Sequence, residues 1–124
     1  TAQTVRQMLR STLQRDPMGV QQGTGSQGAV EGYQLSGKKG TAQQINPACG
    51  CYYSDVYWIT FAGIATTDDP RYVIGVMMDH PQRTADGRPG TTAAPLLHNI
   101  ASWLLQRENV PLSPEGPRLT LQAD

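Results

Sequence analysis

The chain has 124 residues, with ten Lys and Arg balanced by ten Asp and Glu. A domain of that length buries roughly two-thirds of its unfolded surface, and a net charge of zero gives none of the basic field that nucleic acid requires. The longest apolar stretch, residues 72–78, is far short of the ~20 residues needed to cross a bilayer, so any membrane anchor is expected outside the chain.

Residues 1–14 read as a helix, because Val5, Met8, Leu9 and Leu13 recur at helical spacing while Arg6 and Arg10 point elsewhere. Asp16-Pro17 ends it. The glycine-rich stretch that follows (Gly19, Gly23, Gly25, Gly28) has no helix behind it at phosphate-loop spacing, and phosphate binding is rejected. A first strand is expected over residues 33–44, with Tyr33 and Leu35 on one face and Gln34 and Ser36 on the other. A turn containing Asn46-Pro47 and Cys49-Gly50-Cys51 leads to a second strand over 56–66, and Thr67-Asp68-Asp69-Pro70 turns the chain into a third over 72–78. A polar loop follows, whose part from Arg83 to Gly90 borders either a cleft or solvent. The second helix has Pro95 in its first turn and an apolar face of Leu96, Leu97, Ile100, Trp103 and Leu104. From residue 108 the chain is Pro-rich and reads as an extended tail.

The order predicts an α+β fold, a three-strand antiparallel meander flanked by helices. One strand conflicts with that count. The run 73–78 lacks the alternation of a strand with one wet face and reads as a central strand, yet a three-strand meander leaves it at an edge. Its other neighbour is therefore expected outside the chain, within a larger domain.

Cys49 and Cys51 are the only cysteines. Two residues apart, they can hardly reach the usual Cα separation of a relaxed disulfide, and a metal site would need ligands beyond His80 and His98, both remote in sequence. A structural or weakly redox-active hairpin pair is expected, with its oxidation state left open and no metal or cofactor. His80 and His98 are read as structural or solvated. Trp58, Phe61 and Trp103 are assigned to the core by their periodic apolar setting, whereas Tyr52, Tyr53 and Tyr57 remain candidates to line a groove.

The two lysines of the chain stand side by side in Gly37-Lys38-Lys39-Gly40-Thr41-Ala42-Gln43; the other eight cations are arginines. An ammonium, a hydroxyl residue and glycines on a strand edge suit capture of an anionic acyl substrate, since the glycines let ligand backbone approach closely. Ser36-Gly37-Lys38 and Gly40-Thr41-Ala42-Gln43, followed in order by Phe61-Ala62-Gly63-Ile64-Ala65, Asp69-Pro70-Arg71-Tyr72 and Ala93-Ala94-Pro95, resemble the class B penicillin-binding proteins. The likeness is to the division-associated peptidoglycan D,D-transpeptidases, over about the first 107 residues.

The resemblance implies the C-terminal part of a penicillin-binding, serine β-lactamase-like transpeptidase fold over residues 1–107, with 108–124 as a Pro-rich tail. It implies a serine acyl-enzyme that cross-links stem peptides during division and is blocked by β-lactams. Lys38 matches the motif lysine among the catalytic groups and Gly40 the motif glycine. Thr41 matches the residue whose N–H completes the oxyanion hole and whose side chain helps hold the substrate carboxylate. Lys39 occupies a substrate-binding position where the family has Thr or Ser. The helical Ser-x-x-Lys and the Ser-x-Asn motifs are absent, and Ser54-Asp55-Val56 lacks the amide of the latter. Ser36 has Lys39 three residues on, but along a strand the two project to opposite faces. The chain alone is therefore expected to be inactive. Expected partners are the N-terminal remainder of the domain, stem peptides, β-lactams and division proteins, at the outer face of the cytoplasmic membrane. A non-catalytic β-lactam sensor or division scaffold is the alternative.

Overall fold

The computed structural model describes residues 1–14, 23–82 and 93–114. The loop from Arg83 to Gly90, Asp16-Pro17 and the end of the Pro-rich tail lie outside these residues. Three strands, β1 (Ser36–Asn46), β2 (Cys51–Ala65) and β3 (Tyr72–Asp79), form one antiparallel sheet in the order β1-β2-β3. Helix α1 (Ala2–Met8) and a 3₁₀ turn (Leu9–Thr12) precede it, and helix α2 (Ala93–Arg107) follows. The meander and its flanking helices match the α+β expectation.

Burial alternates along β2 because only one face of the sheet is covered. Ile59, Phe61, Gly63 and Ala65 point inward, and across the ladder Ile74 and Val76 of β3 join them. Helix α2 lies on this face through Ala93, Ala94, Leu97, Ala101 and Leu105. The close approach depends on Gly63, where an added Cβ would lie 2.9 Å from Leu97 Cδ1. Leu13, from the chain just past the 3₁₀ turn, fills the core beside β1.

The opposite face is open, with Val73 at 78% and Met77 at 67% exposure. β3 has no second neighbour among the described residues, so it is the edge that its composition argues against. An apolar strand with a bare edge and a bare face is what a sheet looks like when part of its domain is not there.

Several boundaries and burials correct the sequence reading. β1 starts at Ser36 rather than 33, because Gly32, Tyr33 and Gln34 bond to the segment after α2. Tyr33 Oη donates to the Val110 carbonyl (2.7 Å), Ser113 N to the Gly32 carbonyl (3.0 Å), and Gln34 N to Ser113 Oγ (3.0 Å). β2 begins at Cys51, five residues early, where the hairpin closes. The first helix stops at Met8 and tightens into the 3₁₀ turn. On α2 the packing stripe runs through the alanines with Leu97 and Leu105, so Leu96, Ile100 and Trp103 face outward. Trp103, assigned to the core from sequence, is 58% exposed and carries the Arg107 guanidinium 5.0 Å above its ring.

Candidate active-site edge

Among the described residues, β1 pairs with β2 on one side only. In an antiparallel edge strand, alternate residues turn N–H and C=O groups away from the ladder, leaving donors and acceptors for an added strand. The lysine pair and Thr41 lie in the middle of this edge.

The start of β1 is fixed from beneath. The Ser36 hydroxyl is fully buried, 2.7 Å from the Arg6 carbonyl and 2.6 Å from Thr67 Oγ1, which ties β1 to α1 and to the β2–β3 connection. Thr67 N also donates to the Gln34 carbonyl at 2.7 Å. A hydroxyl engaged in that network, on the face opposite Lys39, is not set up as a nucleophile.

Lys38 emerges exposed on the open face, opposite Ala62, which in turn pairs with Gly75. This row of small residues leaves a trough across the sheet beside the ammonium. Lys38 Nζ donates to the neighbouring Lys39 carbonyl at 2.8 Å. Lys39 leaves from the other face, opposite Phe61, and is half-buried. Neither lysine forms an ion pair among the described residues, so both charges are free to meet an anion.

Gly40 pairs with Thr60, and a Cβ there would lie 2.5 Å from Thr60 Oγ1. Glycine thus keeps the floor of the edge clear between Lys38 and Ala42. Thr41 is exposed one residue further on. The edge brings Lys38, Lys39, Gly40 and Thr41 together as a contiguous ribbon. Thr60 and Thr67, which shape and anchor that ribbon, escape the sequence reading because their positions relative to β1 follow only from the hairpin register.

The remaining candidates lie apart from it. His98 Nδ1 is 2.7 Å from the Ala29 carbonyl, which makes the ring a tie between α2 and the segment before β1. His80 is exposed just after β3, and its N–H bonds the Tyr57 carbonyl at 3.1 Å. Ser54 sits exposed in the second half of the hairpin, its carbonyl accepting from Tyr57 Oη. No group of three or more His, Cys, Asp or Glu side chains able to hold a metal occurs among the described residues.

The family described as the penicillin binding protein transpeptidase domain matches residues 1–102. Over 124 residues the chain is 79% identical to penicillin-binding protein PbpB of Mycolicibacterium smegmatis, covering 99% of this chain and 19% of that protein. PbpB of Mycobacterium tuberculosis is 73% identical over the same length, with 99% and 18% covered. The chain thus spans about a fifth of the length of these relatives. Among solved structures, penicillin-binding protein 3 from Mycobacterium tuberculosis complexed with ampicillin superimposes with a TM-score of 0.86 at 72% identity, covering 99% of this chain and 27% of that one. Fold, motif order and sequence therefore agree, and the chain belongs to the penicillin-binding protein transpeptidase domain family.

Proposed function

We infer that this chain supplies the substrate-binding edge of a serine-type peptidoglycan D,D-transpeptidase that acts in cell division. The observation that carries the reading is the placement of Lys38 and Thr41, both exposed, on the one edge of the sheet that carries the motif ribbon. Residues 1–107 form the C-terminal part of the transpeptidase domain, and 108–124 are its Pro-rich tail. The N-terminal remainder brings the helical Ser-x-x-Lys and the Ser-x-Asn, covers the open face at Val73 and Met77, and pairs with the free edge of β3. The complete protein works at the outer face of the cytoplasmic membrane with division proteins, its anchor outside these residues.

In this reading the stem peptide lies beside β1 as an added strand. The serine of the remainder attacks the carbonyl before the terminal D-alanine, and an amine of a neighbouring stem peptide later takes the acyl group. Lys38 extends into the trough between the two halves, where its ammonium serves proton transfer at the reacting centre. The Thr41 N–H donates to the oxyanion, a role whose loss typically costs about 3–4 kcal/mol in the barrier. A β-lactam is captured in place of the peptide, its carboxylate held near Lys39 and Thr41.

Lys39 supports a second reading, a β-lactam sensor or scaffold of the same fold, because it replaces a hydroxyl that bonds the substrate carboxylate. Its longer side chain brings a second cation to the edge, on the face opposite Lys38, and gives up the short hydroxyl contact. A charge-assisted hydrogen bond contributes about 1.5–3 kcal/mol. In the full-length protein, Lys39→Thr is accordingly expected to raise the acylation rate by a labelled penicillin about tenfold or more. Equal rates would remove Lys39 from substrate binding. Failure of both forms to become labelled would select the scaffold reading, since a β-lactam sensor must still take up the penicillin.

A further inference from the structure

The far end of the β1–β2 hairpin carries chemistry that acyl transfer does not use. The regular ladder runs from Ser36↔Ile64 to Gln43↔Tyr57 and then breaks, and the next pairs are Ile45↔Tyr52 and Asn46↔Cys51. Gln44 alone therefore faces four residues of β2, numbers 53, 54, 55 and 56. The tip is a two-pair ladder hung on an irregular joint, which side chains hold: Gln43 Nε2 donates to the Tyr53 carbonyl (3.0 Å) and Gln44 Nε2 to Asp79 Oδ1 (2.7 Å). Pairing with β3 ends at Trp58↔Asp79, so the tip runs on beyond the three-stranded part.

At its end Cys49 and Cys51 form a disulfide, with their Cα atoms 5.2 Å apart. That separation lies within the usual range for a cystine, and Gly50 between them adopts φ +67°, a left-handed conformation that glycine takes readily. Both cysteines are exposed.

A cross-link between residues two apart closes a very short loop, and the freedom a disulfide removes from the unfolded chain grows with loop length. The turn also has its own fastening. Asn46 Oδ1 accepts from Ala48 N at 3.0 Å, and the Asn46 carbonyl accepts from Gly50 N at 2.9 Å. The cystine is thus nearly redundant as a staple, while its exposure leaves the sulfurs open to a thiolate. Ile45 and Tyr52, at 62% and 65% exposure, give an incoming partner an apolar footing beside it.

We propose that Cys49–Cys51 is a thiol–disulfide exchange site whose reaction partner is a dithiol. A thiolate of the partner attacks one cysteine sulfur, the S–S bond breaks, and the other cysteine leaves as thiolate with a mixed disulfide in place. The partner's second thiol, once deprotonated, resolves that intermediate. Two electrons pass to the cystine, the partner is oxidised to its own disulfide, and the cysteine thiolates take up the protons. The joint at Gln43 and Gln44 confines the change to the tip, away from the Lys38–Thr41 ribbon.

The test uses the full-length protein, titrated with dithiothreitol under native conditions, quenched with a maleimide and read by peptide mass spectrometry beside a thermal melt. Two maleimides should appear together on the 49–51 peptide with the melt unshifted, and oxidised glutathione should restore the cystine. The Cys49→Ser/Cys51→Ser double variant should melt with the wild type, and Cys51→Ser alone should take one glutathione on Cys49. Labelling that appears only on unfolding, a melt that falls in step with reduction, or no glutathione on Cys49 would each overturn the proposal. None of these readouts depends on acylation, so they stand or fall apart from the transpeptidase reading.

Discussion

Replacing Lys38 with methionine in the full-length protein is expected to slow acylation by a labelled penicillin by about two to four orders of magnitude, with the melt unchanged. The size follows from the role: a positioned group that moves a proton in the transition state typically contributes ~10²–10⁴ in rate. The unchanged melt follows from position. Lys38 is exposed, and among the described residues its side chain bonds only the neighbouring Lys39 carbonyl, so its removal leaves no buried partner of this chain unsatisfied. Arginine at the same site keeps the charge but cannot give up its proton, so Lys38→Arg should be nearly as slow as Lys38→Met. Rapid acylation of Lys38→Arg would reduce the role of Lys38 to charge alone. Rapid acylation of both variants would remove it from the reaction.

Phe61→Ala is expected to have the largest effect on stability, a loss of about 3–5 kcal/mol in a denaturant unfolding experiment on the full-length protein. Phe61 is 1% exposed and is paired with Lys39 on one side and Val76 on the other. Its ring occupies the space that side chains at Gly25 and Gly37 would need: added Cβ atoms there would lie 2.6 Å from Cε2 and from Cε1, respectively. Two segments thus close over the ring without side chains of their own, and neither has atoms to fill the hole left by alanine. The cavity would open directly under the start of the motif ribbon. The same variant should therefore acylate slowly even at temperatures where it stays folded. A loss below about 1 kcal/mol would mean that the packing around Phe61 relaxes into the space.

The element order was legible from helical spacing at Val5, Met8, Leu9 and Leu13 and again at Leu96, Leu97, Ile100, Trp103 and Leu104, and from turn residues that separate the three strand-like runs. The open neighbour of β3 was legible too, from an apolar run with no polar alternation. Burial on α2 was not, because alanine contributes little to an apolar stripe, yet small residues are what allow a helix to settle on a sheet at Gly63. Trp103 reads as core by type and is left outside by that choice of face. The start of β1 depended on bonds from Val110 and Ser113, more than seventy residues away in sequence, which no local pattern encodes. The ribbon itself was read from its residue types and order. Its floor at Thr60, its anchor at Thr67 and the trough over Ala62 and Gly75 required the ladder register.

Mapping the covalent penicillin adduct on the full-length protein tests the central claim most directly. The account predicts one acylated serine outside these 124 residues, lost labelling in Lys38→Met, and no adduct on the isolated chain. An adduct on Ser11, Ser26, Ser36, Ser54, Ser102 or Ser113 would contradict it, because the attacking group would then belong to this chain rather than to the half that faces its edge.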